Sequence, residues 1–508
     1  MTTTAPQADI ESRRSARSGA IGLLGAAVNG ACGFVLTAVI VRVFGPADAG
    51  AFFSVIGLVS IVGPLCCLGA DTGLLWALPR RTLGAAGDAA PLLPVALLPT
   101  VALALVVGVT GWFGAPMVAE VLLDGAPDSV TLVRLAFAGV PVFVTATVLL
   151  SGVRGTRTVG AYVGLQLIAV PIARPLLIGG AAVGAGSVVL GFAGWLLPLA
   201  VAAVVALLLL AGPLGLFRGA TLRAPAADRR LFWSFALPRA LSTAIDASSM
   251  WVGVLLTSAL AGRVEAGIFG AVGRYALAGL LIMQGLRVAV APQLSRLLGA
   301  ERRPEAAKVY RRTTLWIVLL SCPAYLLLAA FSPAFLTLFG TGFAGGSAPM
   351  AVLAGAMLVN VGVGLVQTVL LMSGNSRGHL LATVSGLALN VTLCVVLIPR
   401  HGALGAAIAW SLGIVCENVI AAGLARRALG EPLFGRALVG AAIAVATATG
   451  FAAGVGILVC GRGLAGLGAA LVVLLFGAIV SLGSGRVRLA LKDIRADLRP
   501  AATQETPG

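Results

Sequence analysis

Five arginines fall inside long apolar runs of the chain: Arg134, Arg174, Arg239, Arg274 and Arg287. A guanidinium held in hydrocarbon costs about 2.5–3.5 kcal/mol on insertion scales, so such residues face a cavity or a partner. The planar fork of N–H donors suits a phosphate, which it binds bidentately. Only three acids, Asp71, Asp246 and Glu417, share these apolar runs. The balance of five cations to three acids favours an anionic substrate group. It leaves Asp71, Asp246 and Glu417 as candidates for proton or cation coupling, with a bond from Glu417 to Arg426 or Arg427 as the plainer alternative.

The neighbours of these charges have helical spacing. Arg239, Ser242, Thr243, Asp246 and Ser249 recur at i, i+3, i+4, i+7 and i+10, which is one helical face. Arg239 and Asp246 stand about 10.5 Å apart along that axis at 1.5 Å per residue, too far to pair directly. The stripe reads as the wall of a wetted cavity, the alternative being a helix–helix interface joined by polar contacts. Tyr162, Gln166 and Arg174 lie on one i+4n row, and Asn360 with Gln367 and Thr383 with Asn390 are i, i+7 pairs. Gln284 and Arg287 fall nearer the end of their run. For Arg134 and Arg287, reaching to the nearer membrane surface is the competing explanation.

Nothing in the sequence points to catalysis. The seven cysteines all lie in apolar runs, and none has zinc-ligand spacing with His379 or His401. Small buried hydrophobes are the ordinary role of such cysteines. No phosphate-binding loop, metalloprotease, hydrolase or dinucleotide motif sits on a suitable loop. The longest expected outer loop, residues 114–129, has no room for a folded domain. No enzyme activity, metal or cofactor is expected.

The elements that must carry these residues follow from composition. The 508 residues are 59% hydrophobic and 10% charged, with a net charge of +17, against about 25% charged in a soluble chain. The apolar residues form fourteen candidate spans, at roughly 18–41, 50–74, 91–113, 130–152, 159–182, 187–211, 232–260, 266–291, 313–333, 346–372, 380–398, 404–425, 437–460 and 464–484. Each is near the roughly 20 residues that cross a bilayer. The first is too long for a signal-peptide core and lacks a clear cleavage site. With the N-terminus inside, 26 of the 35 Lys and Arg fall in inner segments, four in outer loops and five within spans. That bias orients a multi-pass membrane protein with both termini cytoplasmic. It also accounts for the positive charge without nucleic acid, for which no aromatic-interleaved basic stripe is present.

The chain also repeats itself. Gly45-Pro-Ala-Asp48-Ala-Gly50-Ala-Phe52 and Gly262-Arg-Val-Glu265-Ala-Gly267-Ile-Phe269 share the pattern G-x-x-[DE]-A-G-x-F six spans apart. An even number of intervening spans gives both copies the same orientation, one recurrent transporter plan. The expected fold is therefore all-α and polytopic, with about 14 transmembrane helices in two pseudo-symmetric six-helix lobes plus two C-terminal helices. Its parts are an N-terminal tail (1–17), an N-lobe (18–217), a linker (218–231), a C-lobe (232–430), the additional pair (431–484) and a C-terminal tail (485–508). In that last tail Val487, Leu491, Ile494 and Leu498 form one apolar stripe among basic residues, as in a helix lying on anionic membrane lipid.

Several segments resemble bacterial lipid-linked oligosaccharide flippases, the polysaccharide-exporter branch of the multidrug/oligosaccharidyl-lipid/polysaccharide exporter superfamily. They are Ala38–Gly50, Leu68-Gly69-Ala-Asp71-Thr-Gly73 with Pro79-Arg80, Val264–Gly270, Leu338-Phe-Gly340-Thr-Gly-Phe, and Asn390–Pro399 with Gly402–Ala407. The resemblance spans roughly residues 15–430. It implies two lobes around a central cavity that opens alternately to each side, moving a polyprenyl-pyrophosphate-linked oligosaccharide to the outer leaflet for surface polysaccharide biosynthesis. It also implies a pyrophosphate contact for Arg42, which matches the family's arginine at the end of the first helix. Together with the helical stripes, the expected substrate-binding set is Arg42, Arg134, Arg174, Arg239, Ser242, Thr243, Arg274, Asn360, Gln367 and Asn390. Expected partners are the lipid-linked glycan, membrane lipids, and a glycan polymerase or glycosyltransferases. The competing readings are a cation-coupled drug exporter, a lipid II flippase and a non-transporting scaffold for glycan assembly.

Overall fold

The computed structural model describes residues 5–82, 89–156, 159–214 and 224–483. The C-terminal amphipathic tail and most of the predicted linker lie outside these residues, as do the side chains of Ser242, Thr243 and Asp246. Every element among the described residues is helical. The inner side of the protein is taken as the one on which the basic loops fall.

The first half comprises α1 (Ala5–Cys67), α2 (Ala70–Thr82), α3 (Leu92–Leu123), α4 (Ser129–Thr156), α5 (Val159–Tyr162), a π-turn over Val163–Ala169, α6 (Val170–Ala185) and α7 (Val188–Ala211). The second comprises α8 (Ala226–Ala261), α9 (Arg263–Ala278), α10 (Leu280–Gly299), α11 (Arg303–Ala330), α12 (Ser332–Leu336), a 3-10 turn over Thr341–Gly346, α13 (Ser347–Val363), α14 (Val366–Met372) and α15 (Ser376–Leu429). Helices α16 (Arg436–Cys460) and α17 (Leu464–Gly483) come last, α16 packing on α11 and α17 on α16. Nine helices among the described residues are long and apolar enough to cross a membrane, ten when the bent pair α9–α10 is taken as one span. The breaks inside α1 and α15, and the shorter apolar stretches Ser248–Ala261 and Leu464–Val480, place a helical arm at each of the fourteen predicted spans.

Glycine makes the corners. Gly45, with φ 72 and ψ −179, breaks α1 between its two spans, and Gly262 turns α8 into α9 with φ 84 and ψ 172. That region of backbone space is essentially open to glycine alone. The two copies of the repeated motif thus begin at the same corner in each half.

Several expected boundaries move. Helix α1 begins at Ala5, inside the expected tail, and α8 begins at Ala226, inside the expected linker. Pro225 before the helix and Asp228 in its first turn suit an N-terminus placed outside the apolar run. The second span breaks at Leu68 and Gly69, both with positive φ, so Asp71 enters the first turn of the separate helix α2. Helix α3 runs ten residues past its predicted end, to Leu123, and the expected long outer loop shrinks to a turn at Asp124–Asp128. The residues it adds, Gly114 to Leu123, are largely apolar.

The lobes meet through small residues and aromatic rings. On the outer side the two motif copies interlock: a Cβ on Gly50 would overlap the carbonyl oxygen of Arg263, and one on Gly267 would overlap that of Pro46. Arg263 reaches Asp48 at 3.5 Å and Asp124 at 4.0 Å. Ser258 Oγ donates to the Leu122 carbonyl at 2.5 Å, and Ala403 N–H donates to the Glu265 carboxylate at 2.7 Å, tying the α9 end to the second arm of α15. On the inner side Trp76 of α2 stacks on Phe235 of α8 with ring centroids 4.4 Å apart, flanked by Arg80 over Trp76 and Arg239 over Phe235.

Candidate functional site

A cavity lies between the lobes in two adjoining parts that share Trp251, Arg274 and Leu277. The larger part, about 490 Å³, is walled by both arms of α1, α4, the π-turn, α6, α7, α8, α9 and the start of α10. Its polar side chains are Asn29, Ser60, Thr147, Gln166, Arg174 and Arg274, and no Asp or Glu among the described residues lines it. The smaller part, about 390 Å³, lies within the second lobe and carries Ser249, Gln284, Arg287, Asn360, Gln367, Thr383, Glu417 and Asn418.

Two arginines dominate the larger part. Each sits eleven residues from the outer end of its helix, Ala185 for Arg174 and Arg263 for Arg274. At 1.5 Å per residue that is about 16 Å, half of a hydrocarbon core about 30 Å thick. Both guanidiniums therefore lie deep within the apolar part of their helices, one from each lobe. Each rests on an indole: Arg174 lies 4.2 Å over Trp195, whose carbonyl its Nε also reaches at 3.2 Å, and Arg274 lies 5.3 Å over Trp251. Stacking of this kind orients a guanidinium and leaves most of its N–H donors for another acceptor.

The π-turn explains how α6 and the turn before it contribute two residues to one wall. In an uninterrupted α-helix of 3.6 residues per turn, Gln166 and Arg174 would point about 80° apart. The wider π-turn that contains Gln166 takes up much of that rotation, and both line the cavity. Gln166 Oε1 is buried without a hydrogen-bond partner.

The smaller part is a hydrogen-bonded acid and amide cluster. Glu417 Oε1 accepts from Gln367 Nε2 at 2.6 Å and from Thr383 Oγ1 at 3.1 Å. Asn418 Nδ2 donates to Asn360 Oδ1 at 3.1 Å. Gly364, with φ 70, separates α13 from α14 and lets Asn360 and Gln367 approach the cluster from two helices. The 44° bend between α9 and α10 turns Gln284 and Arg287 to the same cavity.

The other expected site residues stand elsewhere. Arg42 is exposed at the outer rim, where its Nε donates to the Leu338 carbonyl across the lobe boundary at 2.7 Å. Arg134 lies near the outer end of α4, 5.4 Å over Trp112 of α3. Arg239 is exposed at the inner end of α8, over Phe235. Asn390 is buried inside the second lobe, accepting from Cys394, and Asp71 is half-buried at the start of α2 with Oδ1 unpartnered. None of these five lines either part of the cavity. Conversely, Trp195, Trp251, Asn29 and Asn418 line it without having been expected. The two indoles had a signal: tryptophan belongs at membrane surfaces, and both lie deep within their spans.

Residues 238–396 match the MatE family model. No curated protein matches the chain. Among solved structures, the lipid II flippase MurJ in an inward closed conformation is 11% identical with a TM-score of 0.68, over 93% of this chain and 98% of that one. An inward-facing multidrug resistance MATE transporter of the MOP superfamily is 17% identical with a TM-score of 0.64, over 78% and 94%. This chain therefore matches a MatE model over part of its second half and shares its overall fold with that flippase and that transporter. An outward-facing MATE transporter of that superfamily, 16% identical over 81% and 95%, overlaps less well, at 0.51.

Proposed function

We propose that the chain is a flippase that carries a polyprenyl-pyrophosphate-linked oligosaccharide from the inner to the outer leaflet, for surface polysaccharide. The observation that carries this reading is the pair Arg174 and Arg274: two deep-set guanidiniums, one from each lobe, each held on a tryptophan in a cavity part without acids among the described residues. A diphosphate offers both of them acceptors at once, and Gln166 faces the same space. A bridging anion would draw the lobes together, which is the coupling between binding and rearrangement that alternating access needs. Arg42, now held by Leu338 at the outer rim, becomes free for the pyrophosphate when that rim opens. The substrate reaches the cavity in a bacterial inner membrane with both chain termini cytoplasmic, delivered by glycosyltransferases and passed on to a polymerase.

Proteoliposomes loaded with a fluorescent short-chain polyprenyl-diphosphate oligosaccharide test this. Hydrogen bonds to charged groups are worth about 1.5–3 kcal/mol, so Arg174→Ala or Arg274→Ala is expected to slow flipping about ten- to hundredfold. Unchanged flipping in both variants would overturn the assignment.

The cation-coupled drug exporter is favoured by one feature, the half-buried carboxylate Glu417 in the smaller part. The larger part has no acid among the described residues to receive an organic cation. Efflux of a cationic dye that survives Arg174→Ala and fails in Glu417→Gln would select that reading. A lipid II flippase shares the diphosphate chemistry and is separated by head-group preference in the same liposomes.

A further inference from the structure

A second opening in the molecule is separate from the central cavity. It holds about 1070 Å³, above the roughly 300–1,000 Å³ of ordinary ligand pockets. It is lined by the inner ends of α3 and α8, one from each lobe. Its walls grade from charged to apolar with depth. Arg229 and Arg230 stand at the inner rim, on the first turn of α8. Trp233 follows one turn deeper, edge-on to Phe232 with centroids 5.3 Å apart. Leu237 lies about 11 Å below the arginines at 1.5 Å per residue, opposite Leu98 of α3, and the two are 51% and 67% exposed. No acid among the described residues lines the groove.

We infer that this groove is a binding site for an anionic phospholipid of the inner leaflet. Charge complementarity selects the occupant. Two exposed guanidiniums at headgroup level take a phosphate bidentately, and an interfacial tryptophan marks the boundary. Below it, prolines and leucines face acyl chains. A zwitterionic lipid offers the same chains but adds a positive charge beside two arginines. Because one wall belongs to each lobe, a seated lipid favours the arrangement in which α3 and α8 stand together. This site is separate from the cavity and holds whichever cargo the cavity carries.

The test is lipid retention by the full-length purified chain, using native mass spectrometry and thermal unfolding with phosphatidylglycerol and phosphatidylcholine. The wild-type chain is expected to retain phosphatidylglycerol in preference and to unfold at a higher temperature with it. An arginine near an anionic headgroup contributes about 1 kcal/mol, so R229Q/R230Q is expected to weaken phosphatidylglycerol binding about thirtyfold. Phosphatidylcholine retention should not change, and R229K/R230K should keep most of the preference. R426Q/R427Q, which alters inner-side charge away from the groove, should leave phosphatidylglycerol binding intact. Equal loss in that control would show general surface attraction and overturn the site. So would retention of a polyprenyl phosphate in preference to phosphatidylglycerol, or a R229Q/R230Q chain that binds like the wild type.

Discussion

At the scale of single residues, charge in an apolar run is a reliable sign of a constrained group and a poor sign of which constraint applies. Arg174 and Arg274 were legible because a midspan guanidinium needs a polar environment, and both line the cavity. Arg134 and Arg239 give the same signal in sequence, yet each lies over an aromatic ring away from it. Depth follows from counting residues, whereas the face a side chain presents depends on neighbours that only the fold supplies. The indoles under Arg174 and Arg274 make a sharp prediction. Arg174→Lys keeps the charge but loses the planar fork and the stacking on Trp195, so flipping should fall nearly as far as in Arg174→Ala. Recovery of most of the wild-type rate would mean that charge alone matters there. Trp195→Ala should also slow flipping, since a cation–π contact of about 0.5–2 kcal/mol would no longer orient the guanidinium.

At the scale of elements, apolar length placed the arms and could not place their breaks. The breaks at Leu68–Gly69 and Gly364 are backbone events within apolar stretches, whereas the Gly45 corner falls in the gap expected between the first two spans. The π-turn at Val163–Ala169 leaves no compositional trace at all. Two outer contacts separate strong from weak restraints. The pairs from Arg263 to Asp48 and Asp124 involve carboxylates that are 50% and 57% exposed. Such pairs contribute about 0–1 kcal/mol, so Arg263→Ala should lower the unfolding free energy by less than about 1 kcal/mol. Gly50→Ala forces a methyl against the Arg263 carbonyl oxygen. Overpacking of that kind costs about 1–3 kcal/mol, and it should part the outer crossing. Chemical denaturation of the two variants side by side gives the comparison, and a larger loss for Arg263→Ala would contradict it.

At the scale of the whole molecule, the chain's own cysteines report on access. Cys32 lines the larger part of the cavity, while Cys66, Cys67, Cys322 and Cys394 are buried and Cys460 is exposed. In a Cys460→Ser background, a membrane-impermeant maleimide added from the outside should leave Cys32 unmodified. The same reagent should modify it after Gly50→Ala. Rapid outside labelling of the otherwise unaltered chain would contradict a sealed outer side. The positive-inside bias, 26 basic residues inside against four outside, predicts that tags at either terminus are protected in sealed right-side-out vesicles. Accessibility of either tag would reverse the orientation.

The crossing of Gly50 with Gly267 has one more consequence, and it concerns ancestry. Each glycine is held by the partner copy's main chain, Gly50 by the Arg263 carbonyl and Gly267 by the Pro46 carbonyl. Main-chain atoms are the same whatever residue bears them, so no second-site change of side chain can restore room taken by a new Cβ. Two duplicated halves can drift apart wherever compensation is possible and cannot where it is not. The clearest surviving trace of the duplication should therefore lie where the copies meet backbone to backbone, and that is where the eight-residue pattern is found.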